Sequence, residues 1–299
     1  MLAQVLPRYV EEPNASKYFQ FWEEHGFHLT PVHFYQPIPD TRTLTDDLWE
    51  KDSDLAGVDM NEAGQMSLLR DVFPRFQSEY NQIPTERTAS SHEFYMDNGM
   101  ISGTDALVLY CMVRYFHPNV MIEVGSGFST RLSAQAGLKN GNTELICIEP
   151  YPDVVLTKGF PGLTRLIPKK VQEVGLDFFL QLSAGDILFV DSSHVVRCGG
   201  DVNYLFLEVF PRLKPGVVVH LHDIFLPREF PKEWLLGHHW FWTEQYLLHA
   251  FLLHNSAFEV LFANTFMGLK HNEEMQATFP KSPWWGGGSF WMRRKIEIE

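Results

Sequence analysis

Segment 119–132 is the feature that most constrains the fold of this chain. It is an apolar run that ends in Glu123 and Val124, then meets Gly125 and Gly127 before a helical pattern begins. That order predicts a β-strand, a tight turn and a helix N-terminus, which together bring backbone close to a nucleotide-like ligand. Gly125 permits the turn, and the missing side chain at Gly127 lets a ligand lie against the chain. A dinucleotide fingerprint would need glycine or alanine at position 130, which here is Thr130, so a pyrophosphate is not indicated.

After residue 119, apolar runs alternate with helical or loop segments. The runs that predict strands cover 120–124, 144–149, 164–168, 186–191 and 217–222. Such alternation indicates βαβ units and a parallel sheet. Two later runs, 258–266 and 289–293, predict a terminal antiparallel pair. The expected fold is α/β, a doubly wound and mostly parallel sheet of seven strands.

Residues 1–100 do not show this alternation. They are rich in aromatic residues and proline, and they predict short helices at 14–25, 44–50 and 61–80, before a further helix at 103–116. We therefore expect a helical cap over 1–100 and an α/β domain over 101–299. A segment dense in Trp, His and Leu, 224–256, predicts a lid inserted after the fifth strand.

Composition narrows the class of partner. The formal net charge is −13 and the pI is about 5.4, which argues against nucleic acid and against anionic membranes. A small-molecule substrate is expected, and a homo-oligomer is left open. The N-terminus has no long apolar stretch, and the widely separated cysteines suggest free thiols in a reducing compartment, so a cytoplasmic location is expected. Those cysteines are Cys111, Cys147 and Cys198.

Candidate site residues follow the strands, because ligands of open α/β sheets bind beyond the carboxyl ends of the strands. Glu149 ends the second strand, where an acidic side chain can accept both hydroxyls of a ribose. A surface glutamate before a proline turn is the alternative. Asp191, Ser192 and His194 follow the fourth strand and are placed at the mouth of the site, while Asp186 is interpreted as a solvated turn residue before that strand.

The fifth strand ends in His220-Leu-His-Asp223. With Asp191, the pair His222 and Asp223 could hold a divalent ion such as Mg²⁺, Mn²⁺ or Fe²⁺. A metal-free interpretation makes His194 or His222 a general base and lets a carboxylate orient it, with Asp191 the third catalytic candidate. His220 is interpreted as a packed strand histidine. The segment 238–242, His-His-Trp-Phe-Trp, is interpreted as a packed lid that also lines the substrate pocket.

Six segments together resemble a known family. They are Glu123-Val-Gly-Ser-Gly127, Ile148-Glu-Pro150, Asp186-Ile-Leu-Phe-Val-Asp-Ser-Ser-His194, Asp201-Val-Asn-Tyr204, Arg212-Leu-Lys-Pro-Gly216 and His220-Leu-His-Asp-Ile-Phe225. From about residue 97 to 295 the chain resembles class I S-adenosylmethionine-dependent methyltransferases, specifically the bacterial group labelled methyltransferase family 24.

The resemblance implies S-adenosylmethionine as the cofactor. Its pocket would be formed by Glu123, Gly125, Gly127, Glu149, Asp191 and Ser192, with the adenine near Val171 and Gln172. In metal-dependent O-methyltransferases an Asp-Asn or Asp-Asp pair follows the fifth strand, and here the pair is His222-Asp223, so a divalent metal stays open. The expected activity is methyl transfer to an oxygen or nitrogen of a small molecule. The alternatives are a reaction of S-adenosylmethionine with itself, by cyclisation or elimination, and a non-catalytic binding protein.

Overall fold

The computed structural model describes residues 15–295, and of residues 15–18 only the backbone. Within this part of the chain, seven strands form one sheet. They are β1 (Val120–Val124), β2 (Glu144–Ile148), β3 (Arg165–Ile167), β4 (Ile187–Val190), β5 (Val218–Leu221), β6 (Phe258–Ala263) and β7 (Phe290–Arg294). Their order is β3-β2-β1-β4-β5-β7-β6, with β7 antiparallel to both neighbours and the other pairs parallel. The predicted α/β fold with a doubly wound, mostly parallel sheet is confirmed.

Helices are found at the predicted 14–25, 44–50, 61–80 and 103–116, with bounds that differ by a few residues; residue 14 lies outside the described part of the chain. The α-helices are α1 (Ala15–Glu24), α2 (Asp47–Glu50), α3 (Glu62–Ser67), α4 (Gln77–Tyr80), α5 (Gly103–Phe116), α6 (Phe128–Asn140), α7 (Val154–Lys158), α8 (Asp201–Tyr204), α9 (Lys232–Leu236), α10 (Glu244–Leu252), α11 (Asn264–Lys270) and α12 (Asn272–Thr278). Segments of other pitch are the π-helical Leu68–Val72 and Leu205–Val209 and the 3₁₀ turns Thr41–Thr43, Phe73–Phe76, Val171–Glu173, Leu176–Gln181 and Phe210–Arg212. Among the residues described, no helix is long and apolar enough to cross a membrane.

Two helical stretches change pitch at the same tetrapeptide, Val-Phe-Pro-Arg. One contains Pro74 and the other Pro211, and each passes from a π-helical segment into a 3₁₀ turn there. Proline has no N–H to donate and its ring crowds the preceding turn, so the regular helical pattern cannot continue. The residues before the prolines, Phe73 and Phe210, are fully buried. Each change of pitch therefore coincides with an aromatic anchor in the core.

The chain divides into two compact units. Among the described residues, the smaller unit comprises 15–51 and 232–241, and the larger comprises 52–231 and 242–295. In the smaller unit Lys232 pairs with Asp46, and its ammonium lies 5.4 Å from the ring centre of Trp49, which joins the two segments. The whole sheet belongs to the larger unit. The boundary predicted between residues 100 and 101 lies inside that unit, where Phe73 packs on Phe262 of β6 with ring centres 5.1 Å apart.

Asp186 is buried, so its interpretation as a solvated turn residue is wrong. Its carboxylate accepts hydrogen bonds from the backbone N–H groups of Val120 at 2.9 Å and Ser183 at 2.8 Å. β1 and β4 are neighbours in the sheet, so the first residue of β1 presents an N–H beside the start of β4. The N–H of Val120 is partly buried and needs a partner, and Asp186 supplies it.

The apolar run 258–266 is a strand only as far as Ala263. Asn264 begins α11, and its side-chain amide donates to the buried carboxylate of Asp105 at 2.8 Å. Asp105 also accepts from the backbone N–H groups of Gly288 at 3.0 Å and Ser289 at 2.8 Å. One carboxylate in the first turn of α5 thus connects the start of α11 to the glycine-rich loop before β7.

Candidate active site

Gly125 brings the ends of three strands into contact. Its φ is +78°, and a Cβ at this position would lie 1.6 Å from the carbonyl oxygen of Asp191. The N–H of Gly125 donates to the carbonyl of Ile148 at 3.0 Å, and the N–H of Asp191 donates to the carbonyl of Val124 at 2.8 Å. Only glycine has both the conformation and the space that this turn requires.

Glu123 lies beneath the turn and is fully buried. Its Oε1 accepts hydrogen bonds from the hydroxyl groups of Ser129 at 2.6 Å and Thr130 at 2.9 Å, in the first turn of α6. Burial raises the pKa of Glu123 to about 8, because the charged form is poorly solvated there. The hydroxyl of Thr130 also accepts from the N–H of Gly127 at 3.0 Å. These bonds attach the start of α6 to the end of β1.

A cavity of about 510 Å³ opens beyond the ends of β1, β2 and β4. The predicted cofactor residues that line it are Gly125, Glu149, Val171, Gln172, Asp191 and Ser192. Glu123 and Gly127 are not among its lining residues. Tyr151, Lys170 and Arg197, which the sequence did not single out, also line it.

Several polar atoms in the cavity wall are poised for a ligand. The carboxylate of Glu149 accepts from the backbone N–H groups of Ser126 at 3.2 Å and Tyr151 at 2.8 Å, which fixes its position at the rim. The Oε1 of Gln172 and the Oγ of Ser192 are buried and have no hydrogen-bond partner among residues 15–295. Buried polar atoms are normally paired, so a polar ligand in the cavity would satisfy both.

The turns after β4 and β5 bring Asp191, His194 and Asp223 together, and we call these three residues the strand-end cluster. The Nε2 of His194 lies 3.2 Å from Oδ1 of Asp191 and 3.5 Å from Oδ2 of Asp223. One possible ligand atom from each residue lies within 4.8 Å of the others. His222 is adjacent, with its Nε2 3.8 Å from Oδ1 of Asp223. The geometry thus groups His194, rather than the sequence-predicted His222, with the two carboxylates.

Two residues of the cluster have left-handed backbone conformations. The φ angles are +59° at His194 and +56° at Asp223. Such conformations cost about 1–3 kcal/mol for residues other than glycine and are concentrated at functional sites. The glycine-rich loop supports the second of them, because a Cβ on Gly288 would lie 2.7 Å from Cα of Asp223, and the carbonyl of Gly288 accepts from the N–H of Ile224 at 2.8 Å.

Glu244 is a residue of the site that the sequence analysis missed. It begins α10, is 1% exposed, and its Oε2 lies 2.9 Å from Nδ1 of His194. The ring of Trp242 packs against the ring of His194, with centroids 4.3 Å apart. In the sequence Glu244 is an acid in the first turn of a helix, an ordinary position for such a residue, so nothing distinguished it.

The charges of the site shift the pKa values of its members. Burial disfavours charge on His194, but Asp191 and Glu244 outweigh it and raise the pKa of His194 well above its usual value. Burial acts in the same way on His222, whose pKa is raised by Asp223 and Asp191. Burial raises the pKa of Asp223 and of Glu244, whereas His222 and His194 overcome burial and lower the pKa of Asp191. The arrangement therefore favours protonated imidazole rings among the carboxylates.

His220 is packed inside the sheet, as the sequence predicts. Its ring stacks on that of Phe189 at 4.0 Å, and its Nε2 lies 3.2 Å from Oγ of Ser289. Burial lowers the pKa of His220 well below its usual value, so the ring is neutral. It contributes packing rather than charge.

The aromatic segment 238–242 is divided between the two units. In the smaller unit the rings of His238 and Trp240 stack at 4.8 Å, and those of Trp234 and Trp240 lie 5.6 Å apart. Trp242 belongs to the larger unit. The expectation that the segment also lines a substrate pocket stays a prediction.

A methyltransferase-domain family and an archaeal protein are similar to parts of this chain. Residues 122–224 match the family model of a methyltransferase domain. An uncharacterized protein of Archaeoglobus fulgidus is 30% identical over 165 residues, which are 52% of this chain and 74% of that protein. Residues 122–224 therefore belong to the methyltransferase-domain family, in agreement with the resemblance to S-adenosylmethionine-dependent methyltransferases.

Two solved methyltransferases are also similar to this one. The O-methyltransferase TomG of Streptomyces achromogenes, which is involved in tomaymycin synthesis and was solved with S-adenosylmethionine, is 14% identical with a TM-score of 0.40, over 80% of this chain and 92% of TomG. The O-methyltransferase from Bacillus cereus, solved with S-adenosylhomocysteine, is 12% identical with a TM-score of 0.40, over 79% of this chain and 98% of that one.

Proposed function

We propose that this methyltransferase transfers the methyl group of S-adenosylmethionine to an oxygen or nitrogen atom of a small molecule. One observation carries the proposal: Asp191 belongs both to the cavity wall and to the strand-end cluster. A methyl donor bound in the cavity would lie beside groups that can orient an acceptor and take its proton. The family match over residues 122–224 covers both parts of this arrangement.

The cavity residues suit S-adenosylmethionine. Glu149 would accept the ribose hydroxyls, and Val171 and Gln172 would contact the adenine. The unpaired oxygens of Gln172 and Ser192 would gain partners from such a ligand. Gly125 allows the tight turn beside the carbonyl of Asp191 that borders this cavity.

Glu123 and Gly127 have an indirect part in this proposal. Neither lines the cavity, but both are hydrogen-bonded to Thr130 and so hold the turn against α6. We assign them to cofactor binding through the shape of the turn.

Bound S-adenosylmethionine would supply an electrophilic methyl group, so no covalent enzyme intermediate is needed. The protein would align the acceptor and remove its proton. His194 and His222 are the proposed proton acceptors, and the carboxylate of Asp191 lies 3.2 Å from Nε2 of His194. Because the carboxylates around both rings raise their pKa values, either ring must lose its own proton before it can accept one from the acceptor.

A divalent ion is the second candidate for activating the acceptor and promoting loss of its proton. The strand-end cluster offers two carboxylates and one imidazole, a donor set that suits Mg²⁺, Mn²⁺ or Fe²⁺. An ion there would orient the acceptor and lower the pKa of its hydroxyl group. The sequence suggested a ligand set of Asp191, His222 and Asp223. The strand-end cluster keeps both aspartates of that set and has His194 in place of His222.

Calorimetry with S-adenosylmethionine tests the cofactor assignment. Glu149→Ala should weaken binding by about 1.5–3 kcal/mol, because charged hydrogen bonds to the ribose hydroxyls are lost. Glu144→Ala is the matched control, since Glu144 is an exposed glutamate at the other end of β2. Equal affinity of Glu149→Ala and wild type would reject the ribose role, and a preference for NAD would reject the cofactor.

Mass spectrometry of the products tests the reaction. The protein is incubated with S-adenosylmethionine alone, with added catechol, and with added tyramine, which offers a hydroxyl and an amine. A methylated acceptor supports the proposal and distinguishes oxygen from nitrogen. A new product from S-adenosylmethionine alone would indicate the alternative, cyclisation or elimination. If S-adenosylmethionine stays intact in all three incubations and in a wider screen of acceptors, the result would favour a non-catalytic binding protein.

A further inference from the structure

Glu244 holds one ring nitrogen of His194, while the strand-end carboxylates face the other. Its Oε2 lies 2.9 Å from Nδ1, and the Nε2 of the same ring lies 3.2 Å from Asp191 and 3.5 Å from Asp223. Glu244 is 50 residues from His194 in the chain and reaches it from the start of α10. A segment outside the strand ends thus determines where the ring points.

The backbone makes the same connection. The N–H groups of Thr243 and Glu244 donate to the carbonyl of His194 at 2.8 Å and 3.0 Å. The hydroxyl oxygen of Thr243 accepts from the N–H of Val196 at 2.7 Å. These bonds hold the loop after β4 in the left-handed conformation that His194 adopts.

The packing of the ring completes its orientation. Trp242 lies against His194 at a centroid distance of 4.3 Å and an interplanar angle of 37°. The bond from Glu244 fixes the direction of Nδ1, and Trp242 restricts rotation of the ring plane. Together they leave Nε2 directed between Asp191 and Asp223.

Glu244 cannot itself contact an acceptor, because it is 1% exposed. Its second oxygen, Oε1, is buried and has no partner within the described part of the chain. A buried carboxylate oxygen without a partner is costly, so the burial of Glu244 is offset by the contact of its other oxygen with His194. That contact is the feature that accounts for a carboxylate at this position.

We propose that Glu244 is a positioning residue that fixes the ring of His194 between Asp191 and Asp223 for methyl transfer. The effect on turnover rests on the proposed function, whereas the effect on the ring does not. The role is the same whether Nε2 takes a proton or binds an ion, because either one requires a fixed ring direction.

NMR of the histidine side chains tests the contact without catalysis. The ring ¹⁵N signals of His194 are assigned by their loss in His194→Gln and measured with and without S-adenosylmethionine. Glu244→Gln should shift them, because a neutral amide replaces the carboxylate at Nδ1. Glu229→Gln is the control, since Glu229 pairs with Tyr246 at 2.6 Å and Gln245 at 3.2 Å instead. Unchanged His194 signals in Glu244→Gln would overturn the proposal.

Turnover of catechol or tyramine separates positioning from structural support. Glu244→Leu should lower kcat roughly 100-fold, as expected for a misdirected catalytic group, and change the Kd for S-adenosylmethionine less than about twofold. Glu244→Gln keeps an oxygen that can accept from Nδ1 and should lose less than about tenfold. A kcat of Glu244→Leu within twofold of wild type would overturn the proposal.

Two further outcomes are covered by the same design. Thermal unfolding shows whether Glu244→Leu is folded. If it is not, the NMR comparison of Glu244→Gln with wild type decides the question. If the wild type methylates neither acceptor, the proposed function fails in this assay, and the His194 signals still show whether Glu244 positions the ring.

Discussion

Glu123 links the cofactor turn to the pH dependence of folding. Its carboxyl group is fully buried, and burial raises its pKa from the ordinary 4.5 to about 8, with Asp191 acting in the same direction and the hydroxyl groups of Ser129 and Thr130 opposing. Between these two pH values the folded protein keeps a proton that the unfolded chain has released. The stabilisation from this group is therefore complete below pH 4.5 and is lost as the pH rises through 8.

Glu123→Gln should remove this dependence. In the ligand-free wild type the group contributes a fall in the free energy of unfolding of at most about 1.4 kcal/mol per pH unit between pH 5 and 8, because the two states differ by up to one proton. The variant has no proton to release at this position. Urea denaturation at four pH values measures the difference, with the exposed Glu144→Gln as control. Parallel curves for Glu123→Gln and wild type would contradict the assignment.

The two histidines beyond the strands predict how the rate responds to pH and to chelators. If His194 or His222 is the base, the rate should rise with pH through an apparent pKa above about 6.5, because Asp191, Asp223 and Glu244 raise the pKa of the rings that they face. Chelators should then have no effect. If an ion occupies the cluster, EDTA should abolish turnover and Mg²⁺, Mn²⁺ or Fe²⁺ should restore it. Full activity of both His194→Ala and His222→Ala in metal-free buffer would exclude the histidine base.

At the scale of elements, the junction of β1 and β4 depends on one missing side chain. Gly125→Ala should destabilise the protein by more than about 2 kcal/mol and abolish binding of S-adenosylmethionine, because the new Cβ would overlap the carbonyl of Asp191. Gly141→Ala is the matched control: its φ is +94°, but no atom lies within 4 Å of a Cβ there. It should cost only about 1 kcal/mol, from backbone strain alone. Equal losses of stability and binding in the two variants would show that the contact with Asp191 is not decisive.

The strands could be predicted because parallel strands buried on both faces are continuous apolar runs. Side chains that connect distant segments could not. Asp186 satisfies the N–H of Val120, 66 residues away, and Asp105 holds Asn264, 159 residues away. Both interactions depend on the sheet order, which is not visible in a local pattern.

At the scale of the whole molecule, the sequence indicated the family and the strand ends that carry the candidate site. It did not indicate Glu244, since a helix that follows an aromatic insert gives no sign of which strand it will approach. It also placed one boundary at residue 100, whereas residues 52–100 share a compact unit with the sheet. The periodicity of apolar residues indicates local secondary structure. Contacts between segments that are distant in the sequence depend on tertiary packing.

Hydrogen exchange tests the role assigned to the regions outside the core sheet. We predict that the acceptor pocket is lined from residues 1–100 and 224–256, with Tyr35, Trp240 and Trp242 as candidates. Binding of S-adenosylmethionine with catechol or tyramine should slow exchange in these two segments as well as around the cavity. Slowed exchange confined to residues 119–223 would show that the flanking segments are only structural.

The double membership of Asp191, in the cavity wall and in the strand-end cluster, has a consequence for how this enzyme can diverge. Asp191 would serve both binding of the methyl donor and proton transfer, and its backbone contacts the turn at Gly125. A substitution at Asp191 would therefore affect both functions together. New acceptors would instead be acquired through segments such as 224–256, which lie outside that junction in the sequence. We expect substitutions that alter acceptor choice among natural variants to accumulate there, while Gly125 and Asp191 stay fixed together.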